Sequence, residues 1–314
     1  MPQYEFTSES FAASLSTKKY VDVIYVIDDS GSMSPYQEAM SANFTKFIQS
    51  FEGTDLDFHF SVISTSQSGG RCPDGLMNNS HTNLTAAAMA TDSAAFVADF
   101  QAAVQIGSEG SGDEMGLWNL KRHIERFGPE SGRPYHREFA QTVVVYLSDE
   151  LDHSATSPAA SEPETVETGT VSDEDNAATA LEYLSYYKEA LGKEEIKFFA
   201  ITSAGLNTVR WNTLVSETGG VSASIDEDFA LTLESLSSFV TDQSVFNLVY
   251  MEKAPKVDEF MEVIVNGELL PVDNWKYFHS NQLIMIDKTL VKEGDQIDIR
   301  FHHQVNEKHI PSAF

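Results

Sequence analysis

Short, mostly apolar runs alternate with helix-like stretches between residues 20 and 241, and this alternation restricts the fold more than any other feature of the sequence. Runs of this length and composition are typical of strands that are buried on both faces of a sheet. The strand candidates are residues 21–27, 57–63, 142–147 and 196–201. Strands that alternate with helices predict an α/β fold, in which a doubly wound, Rossmann-like and mostly parallel sheet carries helices on both faces.

The helix candidates lie between and after these strands. They are residues 36–51, 92–104, 113–127, 174–191, 208–217 and 227–240. Ser34 before Pro35 predicts the start of the first helix, because serine caps helices and proline suits the first helical position. Ser111 is the candidate cap of the helix that follows Glu114.

After about residue 242 the sequence changes to short alternating segments without a helical pattern. The strand candidates there are residues 246–251, 261–265, 282–286 and 296–301. Asn266-Gly267 predicts a two-residue hairpin, since both central positions of such a turn need a positive φ. We therefore divide the chain into an N-terminal extension (residues 1–19), a large α/β domain (20–241) and a small all-β sandwich (242–314).

The charge of the chain excludes several classes of partner. There are 48 Asp and Glu residues against 20 Lys and Arg, which gives a net charge of −28. This field repels nucleic acid and anionic lipid, so we expect no nucleic-acid partner. The sequence also lacks the roughly 20 consecutive apolar residues of a membrane span, so we expect no direct membrane insertion. The single cysteine excludes an internal disulfide framework and a multi-thiolate zinc site.

The first strand leads directly into Asp28-Asp29-Ser30-Gly31-Ser32-Met33-Ser34-Pro35. In an extended segment, alternate residues point the same way, so the oxygens of Asp28, Ser30 and Ser32 are predicted to converge. Hard oxygen ligands suit Mg²⁺, Mn²⁺ or Ca²⁺ rather than zinc or copper. The alternative is that these serines only turn the chain and cap the next helix.

This Asp-x-Ser-x-Ser motif at the end of a first strand resembles the metal-ion-dependent adhesion site (MIDAS) of the von Willebrand factor A (vWA) domain family. The resemblance covers about residues 20–241. It implies a site completed by a threonine from a second loop and an aspartate after the next strand. Ser111, in the loop Gly110-Ser-Gly-Asp-Glu-Met-Gly-Leu117, matches the threonine position, and Asp149 matches the aspartate. Serine departs from the family pattern and lacks the stiff β-branched side chain.

The resemblance implies a function as well as a site. An octahedral cation takes six ligands, so Asp28, Asp149 and the three serine hydroxyls leave at least one position open. Mg²⁺ is the expected ion, with Mn²⁺ and Ca²⁺ as alternatives. We expect a non-enzymatic adhesion module whose partner is a protein or other macromolecule that offers a carboxylate. A secreted, cell-surface or periplasmic bacterial protein is implied, although the start of the sequence has no recognisable export signal.

Several acidic residues near these loops have more than one interpretation. Acids are common in the first turns of helices, where most of these are expected to be solvated or to cap. Glu114, Glu150 and Asp152 are the candidates for an outer shell or an adjacent site, such as a calcium site. Asp113 and Glu114 could instead fold inward and cap the ion, which would close the site. Residues 151–176 are rich in acid and lack Lys and Arg, which predicts either a solvated loop or a mobile acidic lip.

The sequence is also compatible with two other functions. A metal-dependent phosphoesterase is the enzymatic alternative, because a site of hard ligands can activate water. However, no Lys or Arg cluster is visible that would hold a phosphate. An intracellular vWA scaffold for complex assembly is the other alternative.

Overall fold

We describe a computed structural model of the 314-residue chain. The residues described are 4–12, 19–49, 51, 56–78, 83–193, 195–203, 208–242, 246–250, 261–278, 283–292 and 294–304. Two compact units are present, one of Met1–Thr17 with Val245–Phe314 and the other of Lys18–Ser244. The first strand, β1 (Tyr4–Ala12), therefore groups with the C-terminal strands.

The larger unit contains a five-stranded sheet in which every pairing is parallel. Its strands are β2 (Lys19–Ile27), β3 (Leu56–Ser64), β4 (Gln141–Ser148), β5 (Ile196–Thr202) and β6 (Val221–Ser224), in the spatial order β3-β2-β4-β5-β6. The four predicted strands are confirmed. The short edge strand β6 was not predicted, because its sequence Val-Ser-Ala-Ser is neither apolar throughout nor buried.

Helices cover both faces of this sheet, as predicted. They are α1 (Ser34–Gln49), α2 (Ala86–Thr91), α3 (Ser93–Val104), α4 (Gly116–Phe127), α5 (Asp173–Leu191), α6 (Val209–Thr218) and α7 (Phe229–Asp242). Val23 and Tyr25 of β2 belong to a core with α1, α3 and α7, whereas Ile24 and Val26 belong to a second core with α4, α5 and α6. Alternate residues of β2 thus face opposite layers, which explains why the whole strand is apolar.

Two helices differ from the prediction. The helix α2 was missed, since its six residues bury no side chain fully and its signal is only an alanine-rich sequence capped by Thr85. The helix α4 begins at Gly116 rather than at residue 113, and Met115 occupies its cap position without a side-chain hydrogen bond. Ser111 is therefore not its cap.

The smaller unit has two antiparallel sheets. Besides β1 it contains β7 (Phe246–Tyr250), β8 (Met261–Val265), β9 (Glu268–Leu269), β10 (Trp275–Phe278), β11 (Leu283–Asp287) and β12 (Gln296–Gln304). The sheet orders are β1-β12-β8-β9 and β10-β11-β7. Residues from both sheets, such as Val263 and Ile284, share one hydrophobic cluster, as in a sandwich. Asn266 and Gly267 have φ values of 50° and 85°, which confirms the predicted hairpin.

The segment treated as an N-terminal extension contains β1, which pairs with β12 over nine residues, from Tyr4 opposite Gln304 to Ala12 opposite Gln296. The sequence contains no local sign of this pairing, because the two strands lie at opposite ends of the chain. Within the described part of the chain, no helix has both the length and the apolar character that a bilayer crossing requires.

Two buried histidines lie on one side of the larger unit and predict how its stability depends on pH. His123 of α4 and His136 are both buried, and their Nε2 atoms are 2.7 Å apart. Burial lowers the pKa of both rings, that of His136 to about 3. The unfolded chain takes up these protons near pH 6.5, where the folded chain does not, so the two rings contribute a loss of stability as the pH falls below about 6.5, and the contribution of His136 extends to about pH 3.

The expected contribution of His136 is about 1.4 kcal/mol per pH unit between those limits. His136→Gln removes this contribution, so on going from pH 6.5 to pH 4 the variant should lose less stability, or gain more, than the wild type. Urea unfolding at several pH values, followed by the helical circular dichroism signal, measures this. An unchanged pH dependence in the variant would show that His136 is already protonated in the folded chain.

Candidate functional site at the carboxyl edge of the sheet

Three adjacent strands, β3, β2 and β4, end side by side, and their ends position the candidate site. The register pairs Ile27 with Ser64 on one side and with Leu147 on the other. The backbone amide of Asp28 continues this ladder by donating to the Leu147 carbonyl at 2.9 Å. Because the strands are parallel, the polar residues that follow each of them meet at one edge of the sheet, where open α/β proteins bind ligands.

Asp28 lies at the centre of this edge and is fully buried. One carboxylate oxygen accepts a hydrogen bond from the Ser30 amide at 2.7 Å, and the other accepts one from the Ser148 hydroxyl at 2.6 Å. Burial raises the pKa of Asp28, although the hydrogen bonds from Ser148 and Ser30 lower it. The carboxylate is therefore held in one orientation before any ligand binds.

The other predicted residues of the first and third loops lie beside it. The Ser30 and Ser32 hydroxyl oxygens are 3.2 Å apart, and the Ser32 hydroxyl donates to Asp149 Oδ1 at 3.0 Å. Ser32 is exposed and Asp149 is half-buried, so this end of the site is open to solvent. Four predicted residues, Asp28, Ser30, Ser32 and Asp149, are thus brought together by hydrogen bonds.

Ser111 has a different environment from the one that the sequence suggested. Its amide donates to the Ser66 hydroxyl at 2.7 Å, and its own hydroxyl accepts from the Asp113 amide at 3.0 Å. The preceding Gly110 packs so closely on Asp29 that an added Cβ would lie 2.3 Å from Asp29 Oδ1. Among the described contacts, the Ser111 hydroxyl bonds to none of the other four predicted ligands.

Glu114 is the residue of the second loop that the structure brings towards Asp28. Its side chain is fully buried, and Oε2 accepts a hydrogen bond from the Thr65 hydroxyl. The other oxygen, Oε1, has no partner among the described residues. Burial raises the pKa of Glu114, and the charge of Asp28 adds to that increase. The Met115 amide, which donates to the Thr65 carbonyl at 2.9 Å, fixes the loop in this position.

Asp29 is a third fully buried carboxylate at the same edge. The Ser66 hydroxyl donates to its Oδ1 at 2.6 Å, while Oδ2 has no partner in the described part of the chain. Burial raises the pKa of Asp29 to about 6. Its contacts are with the second loop and the loop after β3, so it supports the arrangement of those loops.

The remaining acidic candidates have different surroundings. Glu150 is half-buried, and burial together with the charges of Asp28 and Asp149 raises its pKa. Asp152 is buried, but its oxygens already accept from the Leu117 amide at 2.9 Å and from Arg210 at 3.4 Å. Asp152 thus anchors the start of α4, and we leave it out of the metal site proposed below.

For residues 151–176 the sequence allowed either a solvated loop or a mobile lip. In the structure, part of this stretch is buried within the larger unit. Asp152, Ser154, Ala155 and Thr168 within it are buried. The Trp118 amide donates to the Ser154 hydroxyl at 3.0 Å, which ties the stretch to α4.

The buried acids have no cationic partner among the residues that the structure describes. Within the described residues, no Lys or Arg side chain forms an ion pair with Asp28, Asp29, Glu114 or Asp149. Nor do any three His, Cys, Asp or Glu side chains of that part of the chain form a cluster that could hold a metal by themselves. A cation here would therefore need hydroxyl oxygens as well as carboxylates.

Sequence reasoning missed the polar residues that follow β3, and it missed Ser148. Thr65, Ser66 and Ser148 each donate a hydroxyl hydrogen bond to a buried acid. Their signal was available, because all three stand where an apolar strand ends, beside the strand that carries Asp28.

Comparison with known proteins gives only distant likenesses. No family model matches the chain, and no curated protein matches it. The pilus adhesin SpaC from Lactobacillus rhamnosus GG, in its open conformation, is 11% identical with a TM-score of 0.45, and the match covers 98% of this chain and 44% of SpaC.

Two further solved structures match at a similar level. The human COPII-coat protein Sec24c is 9% identical with a TM-score of 0.44, over 96% of this chain and 42% of Sec24c. The pilus adhesin RrgA from Streptococcus pneumoniae is 9% identical with a TM-score of 0.39, over 97% of this chain and 59% of RrgA. This chain thus spans less than two thirds of the length of each protein.

Proposed function

We propose that the carboxyl edge of the sheet is a MIDAS-type metal site of a vWA-like domain, and that this domain is a non-enzymatic, divalent-cation-dependent binding module. The proposal rests on three buried carboxylates, Asp28, Asp29 and Glu114, which have no cation beside them among the described residues. The Ser30 and Ser32 hydroxyl oxygens lie 3.2 Å apart at the same edge. Buried charges in proteins are paired or coordinate metals, since an isolated one costs several kcal/mol.

The donor set fits a hard cation. Asp28 and Asp149 supply two carboxylates, and Ser30 and Ser32 supply hydroxyl oxygens. In our proposal the second loop contributes Glu114 rather than Ser111, as an acid that supports the metal ligands without being one of them, because Glu114 is the buried residue with an unpartnered oxygen whose charge interacts with that of Asp28. Oxygen ligands of this kind suit Mg²⁺ best, with Mn²⁺ and Ca²⁺ as alternatives.

The proposed function depends on the coordination position of the cation that the protein leaves open for a partner. When bound, the cation would accept a carboxylate of a second macromolecule on the exposed side, beside Ser32. It would also create one attractive point for an anion on a chain whose net charge is −28. A secreted or surface location suits such a role.

The first test is the binding of metal alone. Chelator-treated protein is titrated calorimetrically with Mg²⁺, Mn²⁺ and Ca²⁺, and we expect saturation near one ion per chain. Water-proton relaxation of the Mn²⁺ form is then followed as a glutamate-containing peptide is added, which should displace bound water. Absence of saturable binding would overturn the proposal, and metal-restored hydrolysis of p-nitrophenyl phosphate would favour the phosphoesterase instead.

A pair of variants distinguishes the two candidates of the second loop. Glu114→Gln should weaken metal binding by at least about tenfold, since even residues that only support metal ligands contribute ten- to hundredfold. Ser111→Ala should leave the affinity within about threefold, because the one hydrogen bond of its hydroxyl among the described contacts is with the Asp113 amide. The reverse order of effects, measured by the same titration, would restore Ser111 as the ligand.

A further inference from the structure

A cavity lies in the larger unit, beneath the stretch that follows β4. Its volume is about 150 Å³, and it lies between the starts of α5 and α6. Its wall includes six residues with buried polar side-chain atoms: Asp152, Thr168, Asn176, Thr208, Arg210 and Trp211. None of these is among the residues proposed to bind the metal.

Four of the wall residues have a buried polar atom without a partner in the described part of the chain. These atoms are Arg210 Nη2, Trp211 Nε1, and the hydroxyl oxygens of Thr208 and Thr168. The exposed fraction of each of the four residues is 6% or less. Unpartnered buried groups cost about 1–3 kcal/mol each, so four of them on residues that line one cavity indicate a site for a polar ligand.

The hydrogen bonds that the wall residues already form indicate the chemistry of such a ligand. The buried side-chain acceptors beside Arg210 are taken, since Asp152 accepts from Leu117, Ser154 and Arg210, and Asn176 Oδ1 accepts from Arg210 Nε at 2.9 Å. The other acid of the wall, Asp173, is exposed to solvent. The guanidinium and the indole can only donate, and the two hydroxyls can do so. A compact group with several acceptor oxygens would therefore satisfy the cavity.

The start of α6 favours negative charge on that group. Thr208 is its cap residue, yet the Thr208 side chain makes no capping hydrogen bond. The first amides of a helix are partly positive and bind anions readily. Arg210 adds a full charge, which it shares with Asp152 at 3.4 Å.

We propose that this cavity binds a small oxyanion, of the size of a carboxylate group or inorganic phosphate. The site is separate from the metal site and does not depend on it. It would fix the stretch after β4 against α5 and α6 when occupied, because Thr168 and Asp152 come from that stretch and Arg210 from α6.

The test uses the full chain with chelator present. Thermal unfolding and calorimetry are measured with formate, acetate, phosphate and sulfate at constant ionic strength, with chloride as the reference. We expect saturable binding of at least one of these anions, and comparison of the two carboxylates with phosphate and sulfate identifies the class. No saturable binding of any of them would mean that the cavity holds water only, and would overturn the proposal.

Thr208→Val tests the site without touching the buried ion pair. The substitution keeps the shape and removes one donor, so the affinity for the anion should fall about tenfold, and Thr168→Val combined with it should reduce it further. The stability without anion should stay equal or rise, because an unpartnered hydroxyl is removed. Thr213→Val, the same substitution in α6 at a half-buried threonine outside the cavity wall, is the matched control and should bind the anion as the wild type does. Equal affinity in the wild type and Thr208→Val would show binding elsewhere.

Discussion

Asp28→Asn is expected to abolish stabilisation by Mg²⁺ while leaving the metal-free protein as stable as the wild type or more stable. At a Mg²⁺ concentration 100 times its Kd, the wild type should gain about 2.7 kcal/mol. Thermal unfolding would show this as an increase of about 5–10 °C in Tm for a unit of this size. The variant should show no such increase.

The lost stabilisation by Mg²⁺ and the equal or higher stability without metal have one physical cause. Asp28, Asp29 and Glu114 are all fully buried at the same edge, and no Lys or Arg of the described residues pairs with them. Removing one negative charge relieves repulsion in the metal-free state and removes a ligand in the bound state. The amide keeps an oxygen that can accept from the Ser30 backbone, and its NH₂ group can donate to the Ser148 hydroxyl.

A large loss of stability in metal-free Asp28→Asn would contradict this interpretation. It would mean that the carboxylate is needed for its two hydrogen bonds rather than for a cation. Asp113→Asn is the control for charge alone, since Asp113 is exposed and lies in the second loop. It should keep the response of the wild type to Mg²⁺.

The central sheet could be predicted from the sequence because its signal is local. Each of its four longer strands is apolar enough to be identified alone, and burial between two helical layers is the reason for that composition. The strand β1 could not be predicted in the same way. Its partner, β12, lies almost 300 residues further along the chain, and pairing over that distance leaves no local pattern.

The candidate site was predictable where it depends on the ends of strands. Asp28, Ser30, Ser32 and Asp149 follow β2 and β4, and parallel pairing brings them together. The second loop was different, because its contribution depends on where α4 begins. From the sequence, this helix was predicted to begin at residue 113, but in the structure it begins at Gly116. Glu114 therefore lies in a loop, where it accepts a hydrogen bond from the Thr65 hydroxyl.

Arg137→Met is expected to destabilise the larger unit by about 3–5 kcal/mol, the usual cost of breaking a buried ion pair from one side. Arg137 donates to Asp22 Oδ1 from Nε at 2.9 Å and from Nη2 at 2.7 Å, and to Asp57 at 2.7 Å. Asp22 lies in β2 and is fully buried, so the variant would leave its charge without a cation. Urea unfolding followed by the helical circular dichroism signal measures the loss.

Two further variants separate the ion pair from the loss of a long side chain. Arg133→Met makes the same change at an exposed arginine in the same loop and should cost less than about 1 kcal/mol. The double variant Asp22→Asn with Arg137→Met should be less destabilised than the sum of the two single variants, because no charge is left unpaired. Additive effects would mean that Asp22 and Arg137 stabilise the fold independently, through packing and backbone contacts such as the Arg137 bond to the Val21 carbonyl at 3.2 Å.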